Sequence, residues 1–177
     1  MKPPDDLHPS KPKAGLPGTP IRDPGPGNAS GSGGLLTMNA TYRTGSAAET
    51  IALGHAIALH LPRRAVVLLI GNLGAGKTTL AKGIVEGLGA ASADEVSSPT
   101  FTLIHEYGNG RVYHVDLYRL DTREQVATLG LDEIFDRDAV VLIEWGERFP
   151  EFMPPERIEI ALAAGSDAET RRITMAP

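Results

Sequence analysis

Gly71-Asn72-Leu73-Gly74-Ala75-Gly76-Lys77-Thr78 places two glycines, a lysine and a hydroxyl in the pattern G-x-x-x-x-G-K-[ST], where each fixed type has a task in holding a polyphosphate. The glycines let the backbone curl tightly. Successive N–H groups of such a curl point inward, and the positive end of a following helix adds to them, which makes a nest for an anion. Lys77 would bring a full charge to the β and γ oxygens, and the Thr78 hydroxyl is placed to ligate a Mg²⁺ ion that bridges them. The expected ligand is ATP with Mg²⁺, bound by Gly71, Leu73, Gly74, Ala75, Gly76, Lys77, Thr78 and Thr79. The N-K-x-D element that reads guanine is missing, which disfavours a GTP switch.

Such a site needs a carboxylate across from the glycine loop, at the C-terminal end of a neighbouring strand, to hold Mg²⁺ directly or through water. Glu144 fits that place, because five apolar residues precede it and Trp145, Gly146 and Glu147 follow. The plain alternative is a solvated acid at a strand end. Asp116 is the second candidate, within His114-Val115-Asp116-Leu117-Tyr118-Arg119. On an alternating strand His114, Asp116 and Tyr118 share one face. That face looks either at the nucleotide, with Asp116 orienting water, or at solvent along a hairpin edge, and spacing does not choose. His114 reads equally as a packed strand histidine and Arg119 as a surface ion-pair partner. Ser97-Ser98-Pro99-Thr100 lies where many NTPases sense the γ-phosphate, with Thr100 as reader; the other reading is a proline turn before a strand.

These groups need a scaffold that brings them together. The run 65–70 is continuously apolar and β-branched, as in a parallel strand covered on both faces. The glycine loop follows at once, and 77–88 reads as a helix stopped by Gly89, completing strand, loop and helix in the order phosphate binding needs. Upstream, an extended piece at 38–43 precedes Ser46, which with Glu49 has capping-box spacing and opens a helix through Leu59. Downstream, 101–107 and 111–117 flank Gly108-Asn109-Gly110 as a hairpin, which would make the sheet mixed. A helical stretch at 122–135, interrupted near Gly130, leads to a strand at 139–143, and two weaker strands at 157–163 and 171–175 finish the chain. The expected fold is α/β, a P-loop NTPase with a mixed, mostly parallel sheet flanked by helices.

With 177 residues and 41% hydrophobic content the chain suits one domain, 37–177, plus a Pro/Gly-rich tail, 1–36, expected to be disordered. The abrupt change at Leu35 leaves a start at Met38 open. Cysteine is absent, so disulfides, thiolate metal sites and cysteine nucleophiles are excluded. The formal net charge is −5 with no Lys/Arg cluster, so an unaided grip on nucleic acid is not expected. No apolar run approaches the ~20 residues of a membrane span. A cytoplasmic protein that meets no membrane is the expectation.

The blocks G-N-L-G-A-G-K-T-T, S-P-T-F-T-L, H-V-D-L-Y-R-L and I-E-W-G-E, in this order, resemble the TsaE family of bacterial ATPases in tRNA threonylcarbamoyladenosine synthesis. The resemblance runs from about Arg43 to the C-terminus. It implies that Thr78 and Glu144 serve magnesium, that Asp116 is needed for hydrolysis, and that Thr100 belongs to a segment near the γ-phosphate. It further implies that adenine lies between the start of the first helix, near Ser46 and Thr50, and a basic residue of the last strand, taken as Arg172. Family members work with two partners, TsaB and TsaD, so tRNA would be met only indirectly. Two other readings use the same loop: a small-molecule kinase, for which the scattered Arg119, Arg123, Arg137 and Arg148 supply no lid, and a nucleotide-dependent binding module with little turnover.

Overall fold

The computed structural model describes residues 39–165 and 167–176. The expected tail and the Met38 start lie outside the described residues. The elements are β1 (Thr41–Thr44), α1 (Ala47–Ala58), β2 (Ala65–Ile70), α2 (Lys77–Gly87), β3 (Ile104–Tyr107), β4 (Val112–Asp116), α3 (Arg123–Ala127), α4 (Leu131–Phe135), β5 (Val140–Glu144), β6 (Ile158–Ala164) and β7 (Arg171–Ala176). One seven-stranded sheet has the order β1-β7-β6-β2-β5-β4-β3. Its middle strands β6, β2, β5 and β4 run parallel, while β3, β7 and β1 join antiparallel at the two sides. The mixed sheet foreseen from the hairpin is therefore present.

Helices cover both faces, which explains why β2, β4 and β5 are apolar without alternation. On one side α1 and α2 lay Leu53, Ile57, Leu80 and Ile84 against Val67, Leu69, Leu142 and Ile160. On the other, α3, α4 and two single 3-10 turns lay Val126, Ile134, Phe149 and Met153 against Leu68, Val115, Val141 and Ile143.

Two details differ from the periodicity. Helix 122–135 is two short helices, because Gly130 sits at φ 63° and stops the right-handed turn there. The first strand of the hairpin begins only at Ile104: Leu103, at φ 67°, donates its N–H back to Pro99 O at 2.6 Å and closes a turn over 99–103.

The glycine loop is supported by a close helix pair. A Cβ on Gly83 of α2 would stand 2.0 Å from Ile51 O of α1 and 3.0 Å from Gly54 Cα. Gly83→Ala gains about 1 kcal/mol of helix propensity. It forces the helices apart at about 3 kcal/mol, the upper end of overpacking costs, so a net loss of about 2 kcal/mol is expected. The thermal midpoint should fall by roughly 5–8 °C. A melting curve at or above that of the parent chain would contradict this helix approach.

Candidate nucleotide site

Strand β2 delivers the chain to Gly71, whose φ of 154° and backbone contact admit no side chain, since a Cβ there would lie 2.4 Å from Leu162 O. Gly74 (φ 77°) and Gly76 (φ 100°) complete the curl in the left-handed region that favours glycine. Gly76 is also the N-cap of α2 and supplies no side-chain cap. The N–H groups of the first helical turn, which have no intrahelical acceptors, are thus not claimed by a capping side chain.

Lys77 opens α2 and is 4% exposed. Its Nζ donates to Gly71 O at 2.7 Å and Asn72 O at 3.1 Å, and lies 4.2 Å from the centroid of the Trp145 ring. Burial pushes the ammonium below its usual pKa, while Glu144, Glu147 and Asp116 act in the opposite direction. A polyanion at the loop would oppose the burial effect too.

Parallel pairing sets the two acids side by side, with Asp116 of β4 in register with Glu144 of β5 and Glu144 in register with Leu69 of β2. Both are buried, at 2% and 4% exposure, so neither the solvated strand end nor the solvent-facing hairpin applies. Glu144 Oε1 accepts from Thr78 Oγ1 at 2.8 Å and from His114 Nε2 at 2.9 Å. Because a carboxylate oxygen only accepts, His114 carries its hydrogen on Nε2. His114 is fully buried, and its Nδ1 has no hydrogen-bond partner. It is a packed histidine, as one reading had it, but one aimed at the acid.

Asp116 Oδ2 accepts from Ser98 Oγ at 2.7 Å and Thr100 Oγ1 at 2.8 Å, and Oδ1 accepts from Tyr118 N at 2.9 Å. The 98–100 segment is thereby tied to the acid. Thr100 falls in the turn before β3 and also faces the site.

A cavity of about 330 Å³ gathers Leu73 through Thr79 with Ser98, Thr100, Asp116, Tyr118, Glu144, Trp145 and Arg171. A smaller one of about 150 Å³ adjoins it, lined by Thr50, Gly76, Thr79 and Arg171 among others. Thr50 bonds Thr44 Oγ1 at 2.8 Å and Ser46 O at 3.0 Å. Ser46 caps α1 through Glu49 N at 3.1 Å and lines neither cavity. Arg172 is not brought to the site either. It is exposed and shares a face of β7 with Thr174, whereas Arg171 shares the face of buried Ile173 and Met175. Arg171 reaches the loop, donating to Gly74 O at 3.3 Å and to Ala168 O at 2.7 Å. Among the described residues Arg119 forms no ion pair, and its guanidinium lies over the Phe101 ring instead.

The described residues contain no group of three or more His, Cys, Asp or Glu able to hold a metal ion. A divalent ion at Thr78 and Glu144 would therefore draw its remaining ligands from phosphate and water, as suits Mg²⁺. The glycine cradle, the buried lysine and the hydroxyl–carboxylate pair fit a magnesium nucleotide.

A family model described as threonylcarbamoyl adenosine biosynthesis protein TsaE matches residues 44–173. A Bacillus subtilis protein named tRNA threonylcarbamoyladenosine biosynthesis protein TsaE is 42% identical over 135 residues, which is 75% of this chain and 82% of that protein. One of the same name from Mycobacterium tuberculosis is 35% identical over 150 residues, 78% of this chain and 88% of its own. The crystal structure of YdiB from Bacillus subtilis superposes with a TM-score of 0.61 at 37% identity, covering 76% of this chain and 82% of that one.

Proposed function

The chain belongs to the TsaE family, and from that premise we propose that it binds ATP with Mg²⁺ and hydrolyses it in tRNA threonylcarbamoyladenosine biosynthesis. It works beside TsaB and TsaD and meets tRNA only through them, its own turnover resetting the transfer complex. No helix among the described residues is long and apolar enough to cross a membrane, which suits work in the cytoplasm. The observation that carries the reading is the bond from Thr78 Oγ1 to Glu144 Oε1, 2.8 Å long, at the mouth of an uncapped glycine loop.

Loop amides of residues 73–78 and the Lys77 ammonium bind the β- and γ-phosphates and fix their orientation. Thr78 and Glu144 would hold Mg²⁺, which supplies neutralisation of the charge that builds between those phosphates. Asp116, buried and already accepting from two hydroxyls, orients the attacking water, and Thr100, which lines the same cavity, would read the terminal phosphate. Thr50, Thr79 and Arg171 flank the space where the base would lie. Phosphate release by the full chain, measured with Mg·ATP alone and again with TsaB and TsaD, tests the reading. Stimulation by the pair is expected; no magnesium-dependent affinity for ATP, even beside the pair, would end it.

His114 positions Glu144 by donating to Oε1. Losing one buried hydrogen bond to a charged acceptor is worth about 1.5–3 kcal/mol. His114→Leu should therefore reduce, by about tenfold or more, the gain in ATP affinity that magnesium brings. His114→Gln, whose amide nitrogen can replace Nε2, should keep most of that gain. Calorimetry with and without magnesium separates the two; equal losses would assign the ring a packing role only.

A further inference from the structure

Next to the nucleotide cavity, apart from the two hollows already described, lies a more open one of about 630 Å³, lined by Tyr118, Arg119, Asp121, Trp145 and Arg148. Arg119 extends it to Phe101, with the guanidinium 4.8 Å from the ring centroid. Phe101 is 86% exposed and Tyr118 42%. We propose that Phe101 and Arg119 form the docking face for a partner protein that presents a carboxylate flanked by apolar side chains.

The charges argue for that occupant. Arg148 is already committed, donating to Tyr118 O at 2.7 Å and pairing with Asp121 Oδ1 at 3.3 Å. Arg119 has no carboxylate among the described residues, although the chain as a whole carries a net charge of −5. Its guanidinium lies over the Phe101 ring, and among the described residues no hydrogen bond or ion pair claims its N–H donors, which leaves them for a bidentate acid. An exposed phenylalanine ring regains apolar burial only against another surface, and Arg, Tyr and Trp beside it are the residue types that dominate protein interfaces. A nucleic acid fits less well, since a phosphate chain needs several cations in a row and here one is uncommitted, beside exposed Asp121 and Glu147. The hollow shares Tyr118 and Trp145 with the nucleotide cavity, and Phe101 follows Thr100 directly. A partner seated there touches the residues that line the phosphate site.

This inference rests on the reading that the chain works beside partner proteins. The test uses the full chain with the purified TsaB–TsaD pair as probe, in magnesium and a non-hydrolysable ATP analogue, with affinity read by interferometry. R119E and F101S should each weaken association by about tenfold or more. Calorimetric affinity for Mg·ATP and the melting curve should match the parent chain, because both side chains are exposed and outside the phosphate cradle. Parent-like association by both variants overturns the docking face alone. No association by the parent chain overturns the partner reading and the docking face together. Binding of tRNA that R119E abolishes, with association to the pair unchanged, makes the surface a nucleic-acid platform and also overturns the proposal.

Discussion

Lys77→Ala is expected to lower the affinity for Mg·ATP on the order of a hundredfold, about 3 kcal/mol, the upper range for a charge-assisted bond in a desolvated site. The magnitude follows from burial. An exposed lysine would be screened and worth little, but Lys77 is 4% exposed and held by Gly71 O and Asn72 O at the centre of the loop. Its removal also frees two carbonyls that then face the anion. Isothermal titration reads the loss directly, and an affinity within about threefold of the parent would mean that the amide nest alone carries the phosphates.

Glu144→Gln should act on the other side of the catalytic cycle. The amide oxygen can still accept from Thr78, but the lost charge loosens the hold on magnesium. The gain in ATP affinity that magnesium brings should therefore fall by about tenfold or more, as for His114→Leu, while phosphate release should slow further, on the order of a hundredfold. Asp116→Asn is expected to slow phosphate release likewise, because an amide oxygen that keeps the bonds from Ser98 and Thr100 sets its NH2 against the donating Tyr118 N. Pre-steady-state phosphate release against equilibrium binding separates the two quantities. Normal turnover in both variants would remove these acids from the chemistry.

The glycine loop and its flanking strand and helix were legible because local sequence determines them: an apolar β-branched run, glycines where φ is positive, and a helix opening at Lys77. The acids were legible as strand-end residues, but their facing was not, since strand order decides it and strand order is a matter of distant pairing. Period-two spacing put His114 and Asp116 on one face without saying whether that face met α2 or water. The family likeness points to Arg172, although the sequence carries a signal against it. Arg171, Ile173 and Met175 alternate with Arg172 and Thr174, and the apolar pair marks the face that packs under α1 and α2. The break at Leu103 carried no such signal, because a leucine at positive φ is a conformation that tertiary contacts impose.

In the sheet order β2-β5-β4, with Leu69, Glu144 and Asp116 at one level, the lateral spacing of the site is the pitch of a hydrogen-bonded ladder, about 4.8 Å per rung. Connections such as 117–139 can then lengthen or shorten over evolution without retuning that spacing. Deleting one residue inside β5 is a different kind of change: it would swing the carboxylate through the sheet, into the oily side beside Met153, and strand the Thr78 hydroxyl on the far side.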